Sequence, residues 1–246
     1  MRSTGTSLEG RSVLITGSNR GLGRALVEEA LNRGARRVYA SARRPIAHDD
    51  PRVTPVTIDV TSGEDISSAV EIVDSLDVLV NSAGLSLYDD LSDRATIEQH
   101  LEVNLFGPHA LIQAFGPRLV ESGGAIVNVL SVSGVAALPF IPSYSVSKAA
   151  ALGLSQSLRA LLAPKGVDVH VVLAGPIDTD MSRDLQVPKA SPESVARAIF
   201  DGVERGEEEI FPDPLSEPLA DSWRTSPVKA MERQNATLVP GAPAAA

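Results

Sequence analysis

The chain has 246 residues, 43% of them hydrophobic and 22% charged, enough apolar material for one sizeable core and too much for a wholly disordered polypeptide. It contains no cysteine, which excludes disulfides, thiolate metal sites and a cysteine nucleophile. The net charge of −9 argues against a nucleic-acid partner, although residues 1–50 hold nine arginines against five acids, a local +4 on an acidic chain.

In chain order, Met1–Gly10 is polar and carries no apolar run before a cleavage site, so it does not read as a signal peptide. No stretch approaches the ~18 apolar residues of a membrane span, and a cytoplasmic protein without a membrane partner is expected. Ser12–Thr16 (SVLIT) reads as a strand and Leu22–Asn32 as a helix that stops at Gly34. Strands follow at Val38–Ala42 and Val53–Ile58, then a helix at Ile66–Ser75 and a strand at Val78–Val80. A long helical stretch covers Ala95–Glu121, interrupted at Gly107-Pro108. Ala125–Leu130 is a strand, Tyr144–Ala163 a helix, Val167–Leu173 a strand, Pro192–Glu204 a helix and Glu209–Phe211 a short strand.

The alternation, with strands too apolar for a half-exposed sheet, predicts one α/β domain: a doubly wound parallel sheet of about seven strands, helices on both faces. That Rossmann-type domain is expected over 8–212. Prolines at 212, 214, 218 and 227 break up the segment 213–246, where a short helix is expected near Lys229–Ala236 and a frayed tail over Pro240–Ala246.

The first strand runs into Thr16-Gly17-Ser18-Asn19-Arg20-Gly21-Leu22-Gly23 and directly into a helix. Glycines there allow a tight turn and let backbone N–H groups approach a pyrophosphate at the positive helix end. No Gly-Lys-Ser/Thr follows, which excludes a nucleoside-triphosphate loop. About 20 residues on, where an acid would read the ribose 2′-hydroxyl of NAD, the chain has Ala40-Ser41-Ala42-Arg43-Arg44. Arginine attracts a 2′-phosphate that an acid would repel, and Arg20 is placed to close on the same group. NADP(H) is therefore the expected cofactor.

Tyr144 and Lys148, four residues apart at a helix start, share a face. A tyrosine base at neutral pH needs its pKa of about 10 lowered by roughly three units, which a nearby ammonium favours. Ser131, placed at the end of the preceding strand, can hydrogen-bond a substrate oxygen. The four histidines at 48, 100, 109 and 170 show no metal-ligand spacing, so they are expected to be surface or core residues and no metal is expected.

With these residues the sequence resembles the short-chain dehydrogenase/reductase family over residues 8–212. Thr16–Gly23 matches its TGxxxGxG, Asp59-Val60 its acid after the third strand, and Asn81-Ser82-Ala83-Gly84 its NNAG with one serine. Asn104 matches its helix asparagine, Ser131 stands thirteen residues before Tyr144, and Tyr144–Lys148 is YxxxK. Ala174-Gly175-Pro176-Ile177-Asp178-Thr179 matches PGxxxT with alanine in the first place.

The resemblance implies a strand order 3-2-1-4-5-6-7 and roles for single positions. Tyr144 is then the acid/base, Lys148 lowers its pKa and holds the nicotinamide ribose, Ser131 orients the carbonyl, and Asn104 holds a water that links Lys148 to solvent. Asp59 and Val60 meet the adenine, and Ile177 and Thr179 the carboxamide. Together these imply an NADP(H)-dependent oxidoreductase acting on a small-molecule carbonyl or alcohol, assembled as a homo-tetramer or dimer; a dinucleotide-binding redox sensor without turnover is the alternative. Leu85, Leu87, Val135–Ile141, Met181 and Leu185 are expected to line the pocket, so its substrate would be apolar. The short segment between Thr179 and Pro192 suggests an open pocket, which Trp223 could instead cover.

Overall fold

A computed structural model describes residues 5–239; the frayed tail expected at 240–246 lies outside the described residues. The strands are β1 (Ser12–Thr16), β2 (Arg37–Ala42), β3 (Val53–Thr57), β4 (Val78–Asn81), β5 (Ala125–Val129), β6 (Asp168–Val172) and β7 (Glu209–Ile210). They form one parallel sheet in the order β3-β2-β1-β4-β5-β6-β7. The central strands are fully buried, as expected of parallel strands covered on both faces.

The main helices are α1 (Gly21–Asn32), α2 (Gly63–Ile72), α3 (Arg94–Leu101), α4 (Gly107–Ser122), α5 (Pro142–Leu162) and α6 (Pro192–Glu204). On one face, α1 and α6 bury Leu26, Ala30, Ile199 and Phe200 against Val13, Ile15 and Val80. On the other, α2, α4 and α5 bury Ile66, Leu111, Phe115 and Leu158 against Leu14, Leu79 and Ile126. Two further helices, α7 (Ala220–Arg224) and α8 (Pro227–Ala236), follow β7.

Three local expectations are corrected. The helical stretch is not broken at Gly107-Pro108: α3 passes through a π-helical turn at Glu102–Phe106, closed by the Gly107 N–H on the Glu102 carbonyl, and continues as α4, and Pro108, which has no N–H to donate back, directly follows the turn. Gly107 is there for space, since a Cβ would lie 2.9 Å from the Val60 side chain. Ser131 does not end β5, which stops at Val129; it caps the 3-10 turn Val132–Gly134, its Oγ accepting the Ser133 N–H at 3.1 Å. Trp223 does not cover the pocket but packs with Leu130, Leu152, Val171 and Leu173, behind the strand that leads to Ser131.

Candidate active site

Parallel strands put all their C-terminal ends at one edge, and the order of connection reverses between β1 and β4, which opens a crevice there. The glycine turn leaves β1 at this point. Gly17 has φ +71° and a Cβ would lie 3.0 Å from Ala83; at Gly23 a Cβ would overlap the Gly17 carbonyl oxygen at 2.1 Å. Gly21 has φ +52°, and a Cβ there would meet Thr179 at 2.9 Å. No side chain caps the first N–H groups of α1, and Leu22 is buried beneath them. This is a cradle with a positive helix end, which fits a pyrophosphate.

Neighbouring side chains fix the cradle. The Thr16 hydroxyl accepts the Ser82 and Ala83 N–H groups, both at 3.0 Å, binding the turn to the loop after β4. The Ser18 hydroxyl donates to the Ser41 carbonyl at 3.0 Å. Asn19 donates to the Arg44 carbonyl at 2.7 Å and accepts the Ile46 N–H at 3.3 Å, pinning the loop that carries Arg43. Arg43 is exposed and lies near Asp59, whose carboxyl is held below its ordinary range by the Thr61 N–H and hydroxyl and, more weakly, by Arg43. Val60 packs against Gly107. Arg20 departs from expectation: it pairs with Asp180 at 2.8 Å across the crevice, where a carboxylate is its nearest anion.

The catalytic candidates meet beyond β4 and β5. Lys148 is buried, donates to the Val129 carbonyl at 2.9 Å, and its Nζ lies 5.5 Å from the Tyr144 ring centre. Asn104, in the π turn, donates to the Leu85 carbonyl and the Ser147 hydroxyl and accepts the Leu85 N–H, each at 2.9 Å. Gly84 sits above this pair: a Cβ there would lie 3.4 Å from Asn104 Oδ1 and 3.9 Å from Lys148 Nζ. Asn81 faces away from the crevice, donating to Asn128 Oδ1 at 2.8 Å. Its own Oδ1 has no hydrogen-bond partner among the described residues and borders a small cavity shared with Asn104, Asn128, Lys148 and Ser155.

In the protein alone, burial pushes Tyr144 up to about 12, against the opposing hydrogen bond from Ser131, and pulls Lys148 down to about 8. Desolvation of the phenol outweighs the Ser131 hydrogen bond that opposes it. On the far side, Ile177 bridges to Ala190, and Gly175 donates its N–H to Asp213 at 2.7 Å. Leu87, Val135, Leu138, Phe140 and Met181 are exposed around the mouth, and Tyr88 stacks on Phe140 with ring centres 6.1 Å apart. The segment after Thr179 borders an open cleft of about 650 Å³ lined by Asp178, Arg183, Leu185 and Lys189.

Three contributors carry no sequence signal. His100 is fully buried, accepts the Leu87 N–H at 3.1 Å and stands edge-on to Tyr144, ring centres 6.5 Å apart. Asp89 accepts the Ser143 N–H and hydroxyl at the start of α5. Asp213 is the third. Each acts through a partner 13 to 54 residues away, a distance over which no local pattern exists.

Residues 11–189 match the family model described as short chain dehydrogenase. A short-chain dehydrogenase of Penicillium crustosum, PC-15, is 41% identical over 184 residues, covering 70% of this chain and 68% of that protein. The 3-oxoacyl-[acyl-carrier-protein] reductase FabG of Aquifex aeolicus is 33% identical over 223 residues, covering 78% and 90%. Among solved structures, a short chain dehydrogenase from Burkholderia cenocepacia in complex with NADP superposes with TM-score 0.85 at 38% identity, covering 93% of this chain and 98% of that one. No helix among the described residues is long and apolar enough to cross a membrane, and no cluster of metal-ligating side chains occurs among them.

Proposed function

The chain belongs to the short-chain dehydrogenase family, and on that footing we propose that it is an NADP(H)-dependent oxidoreductase interconverting an apolar ketone or aldehyde and its alcohol. One observation carries this reading: Tyr144, Lys148, Ser131 and Asn104 converge beside an uncapped, glycine-cradled helix end. Bound at that crevice, NADP(H) supplies or accepts the hydride.

The chain's own residues do the rest. Gly17, Gly21 and Gly23 with the backbone of Ser18, Asn19 and Leu22 would hold the pyrophosphate, and Arg43 would take the 2′-phosphate. Asp59 and Val60 would lie towards the adenine, Ala83 and Gly84 towards the inner ribose, and Lys148 would hold that ribose. At neutral pH Tyr144 carries its proton, and in reduction it gives that proton to the carbonyl oxygen while Ser131 hydrogen-bonds the same oxygen. In oxidation Tyr144 must first lose the proton, and the Lys148 ammonium favours the resulting phenolate. Asn104 holds the 85-loop and the start of α5 together and orders a water behind Lys148. The apolar mouth, with Phe140 and Met181 exposed, supports a bulky apolar substrate, and the reductase named for the Aquifex relative supports carbonyl reduction.

Loss of NADPH absorbance on mixing the protein with a panel of aryl and alkyl ketones tests the reading. Turnover of at least one supports it. Tight NADPH binding with no turnover across the panel favours the redox sensor instead.

A further inference from the structure

The family match ends at residue 189, yet the chain returns to the crevice after β7. Asp213 is buried, 4% exposed, and forms no ion pair among the described residues. Its charge is held by four donors. Oδ2 accepts the Gly175 N–H and the Ser216 hydroxyl, both at 2.7 Å, and Oδ1 accepts the Leu215 and Ser216 N–H groups, both at 3.1 Å. Three of these donors are local and shape the turn that enters the C-terminal helices. The fourth lies 38 residues back, in the turn after β6.

Gly175 is fitted to this carboxylate. Its φ is not in the left-handed region, so conformation does not demand glycine. Space does: a Cβ would stand 2.7 Å from Asp213 Oδ1 and 3.1 Å from the Leu215 side chain. The turn so held is joined to both halves of the site. The Ala174 carbonyl accepts the Val132 N–H at 3.0 Å, next to Ser131, and Pro176 leads into Ile177 and Thr179, steadied by paired bonds to Ala190.

We infer that Asp213 is a positioning residue, the buried anchor that sets the 174–179 turn at the height the nicotinamide end of NADP(H) requires. The inference rests on the NADP(H) reading above. A buried carboxylate on a backbone N–H is a charge-assisted bond, and losing it leaves that N–H facing a poor partner. In Asp213→Asn the shape is kept, but either Gly175 N–H or the Ser216 side now meets an amide donor. The turn then loses its fixed point at the Gly175 end, while the glycine cradle, which meets the turn only where Gly21 faces Thr179, keeps its own bonds to Ser41 and Ala83.

Fluorescence titration of the full chain with NADPH and with adenosine 2′,5′-bisphosphate, which lacks the nicotinamide, tests this. Asp213→Asn should weaken NADPH roughly tenfold and leave the bisphosphate unchanged. Ser216→Ala, which removes a local donor and spares the Gly175 bond, should change neither and lower only the melting temperature. Equal weakening of both ligands in Asp213→Asn would make Asp213 a general structural residue, and unchanged binding of both would remove the role; each overturns the inference. If Asp213→Asn does not fold, Gly175→Ala, which pushes the same turn off the carboxylate, takes its place with the same expected split. A wild type that binds the bisphosphate but not NADPH overturns the inference while sparing the 2′-phosphate site, and one that binds neither overturns the NADP(H) reading itself.

Discussion

At the scale of single residues the site balances chemistry against stability. Tyr144→Phe removes only the phenolic oxygen of a half-buried ring, so folding and NADPH affinity should survive while kcat falls at least a hundredfold, the usual weight of a positioned proton donor. Unchanged turnover would place the acid elsewhere. Lys148 is the costlier residue. Its pKa is lowered by burial from 10.5 to about 8, so below pH 8 the folded chain carries a charge worth about 3 kcal/mol of destabilisation. Between about 8 and 10.5 the unfolded state binds the extra proton, stability rises with pH, and the penalty disappears. Lys148→Met should therefore raise the melting temperature at pH 7, with the gain shrinking towards pH 10.5, while turnover is lost. Paired thermal melts at pH 7 and 10 read this directly, and a variant less stable than wild type at pH 7 contradicts it. Under the NADP(H) reading proposed above, cofactor choice would rest on Arg43, since Arg20 is paired with Asp180. A charge-assisted bond to phosphate contributes ~1.5–3 kcal/mol, roughly tenfold to a hundredfold in affinity, so Arg43→Ala should weaken NADPH by that factor and leave NADH alone. Adding Ala42→Asp should carry preference further towards NADH. Equal kcat/KM for both cofactors in the wild type would mean that Arg43 only meets solvent.

At the scale of elements, the sheet and main helices were legible because each carries its own local signal: SVLIT has an unbroken apolar centre, Val13–Ile15, and Pro192–Glu204 begins with a serine cap and proline. The glycine turn and Tyr144–Lys148 were legible for the same reason. What escaped the sequence depends on partners far apart in the chain. The π turn at 102–106 carries Asn104, whose side chain bonds Leu85 and Ser147, and nothing in the local sequence VNLFGP distinguishes it from an interrupted helix. The C-terminal helices are clamped by charges that each look like ordinary surface residues. Lys229, 1% exposed, pairs with Glu208, Glu209 and Glu232, and Arg159 of α5 pairs with Glu209 and Glu232. Removing one member leaves buried carboxylates short of a partner. Lys229→Ala should lower the melting temperature by roughly 5–10 °C, at about 2–4 °C per kcal/mol, with kcat of the folded fraction unchanged. A shift under about 2 °C would show that α8 is held by its apolar contacts alone.

At the scale of the whole molecule, one surface is left without the polar covering that solvent demands. The outward stripe of α5 is Val146, Ala149, Gly153, Ser157 and Leu161, spaced at helical intervals and free of charge. Beside it α4 exposes Val120, and the π turn before it exposes Phe106. Gly116 and Gly153 stand in the interiors of these helices with positions where a Cβ would meet nothing within 4 Å. Within one chain such glycines are a loss, since each costs about 1 kcal/mol against alanine in a helix interior. Close approach of a second copy gives them a purpose, because small residues let helix backbones pack tightly. A homodimer or tetramer through α4 and α5 is the expected assembly, and Gly153 separates it from the monomer. In a monomer Gly153→Ala gains helix propensity and should raise the melting temperature, whereas at a packed interface the added methyl crowds the partner and should lower it. Gly153→Glu places a charge in the stripe and should shift the molecule to monomer. Light scattering at micromolar concentration, with melts of both variants, reads the outcome. A monomeric wild type stabilised by Gly153→Ala would mean that this apolar face meets only water.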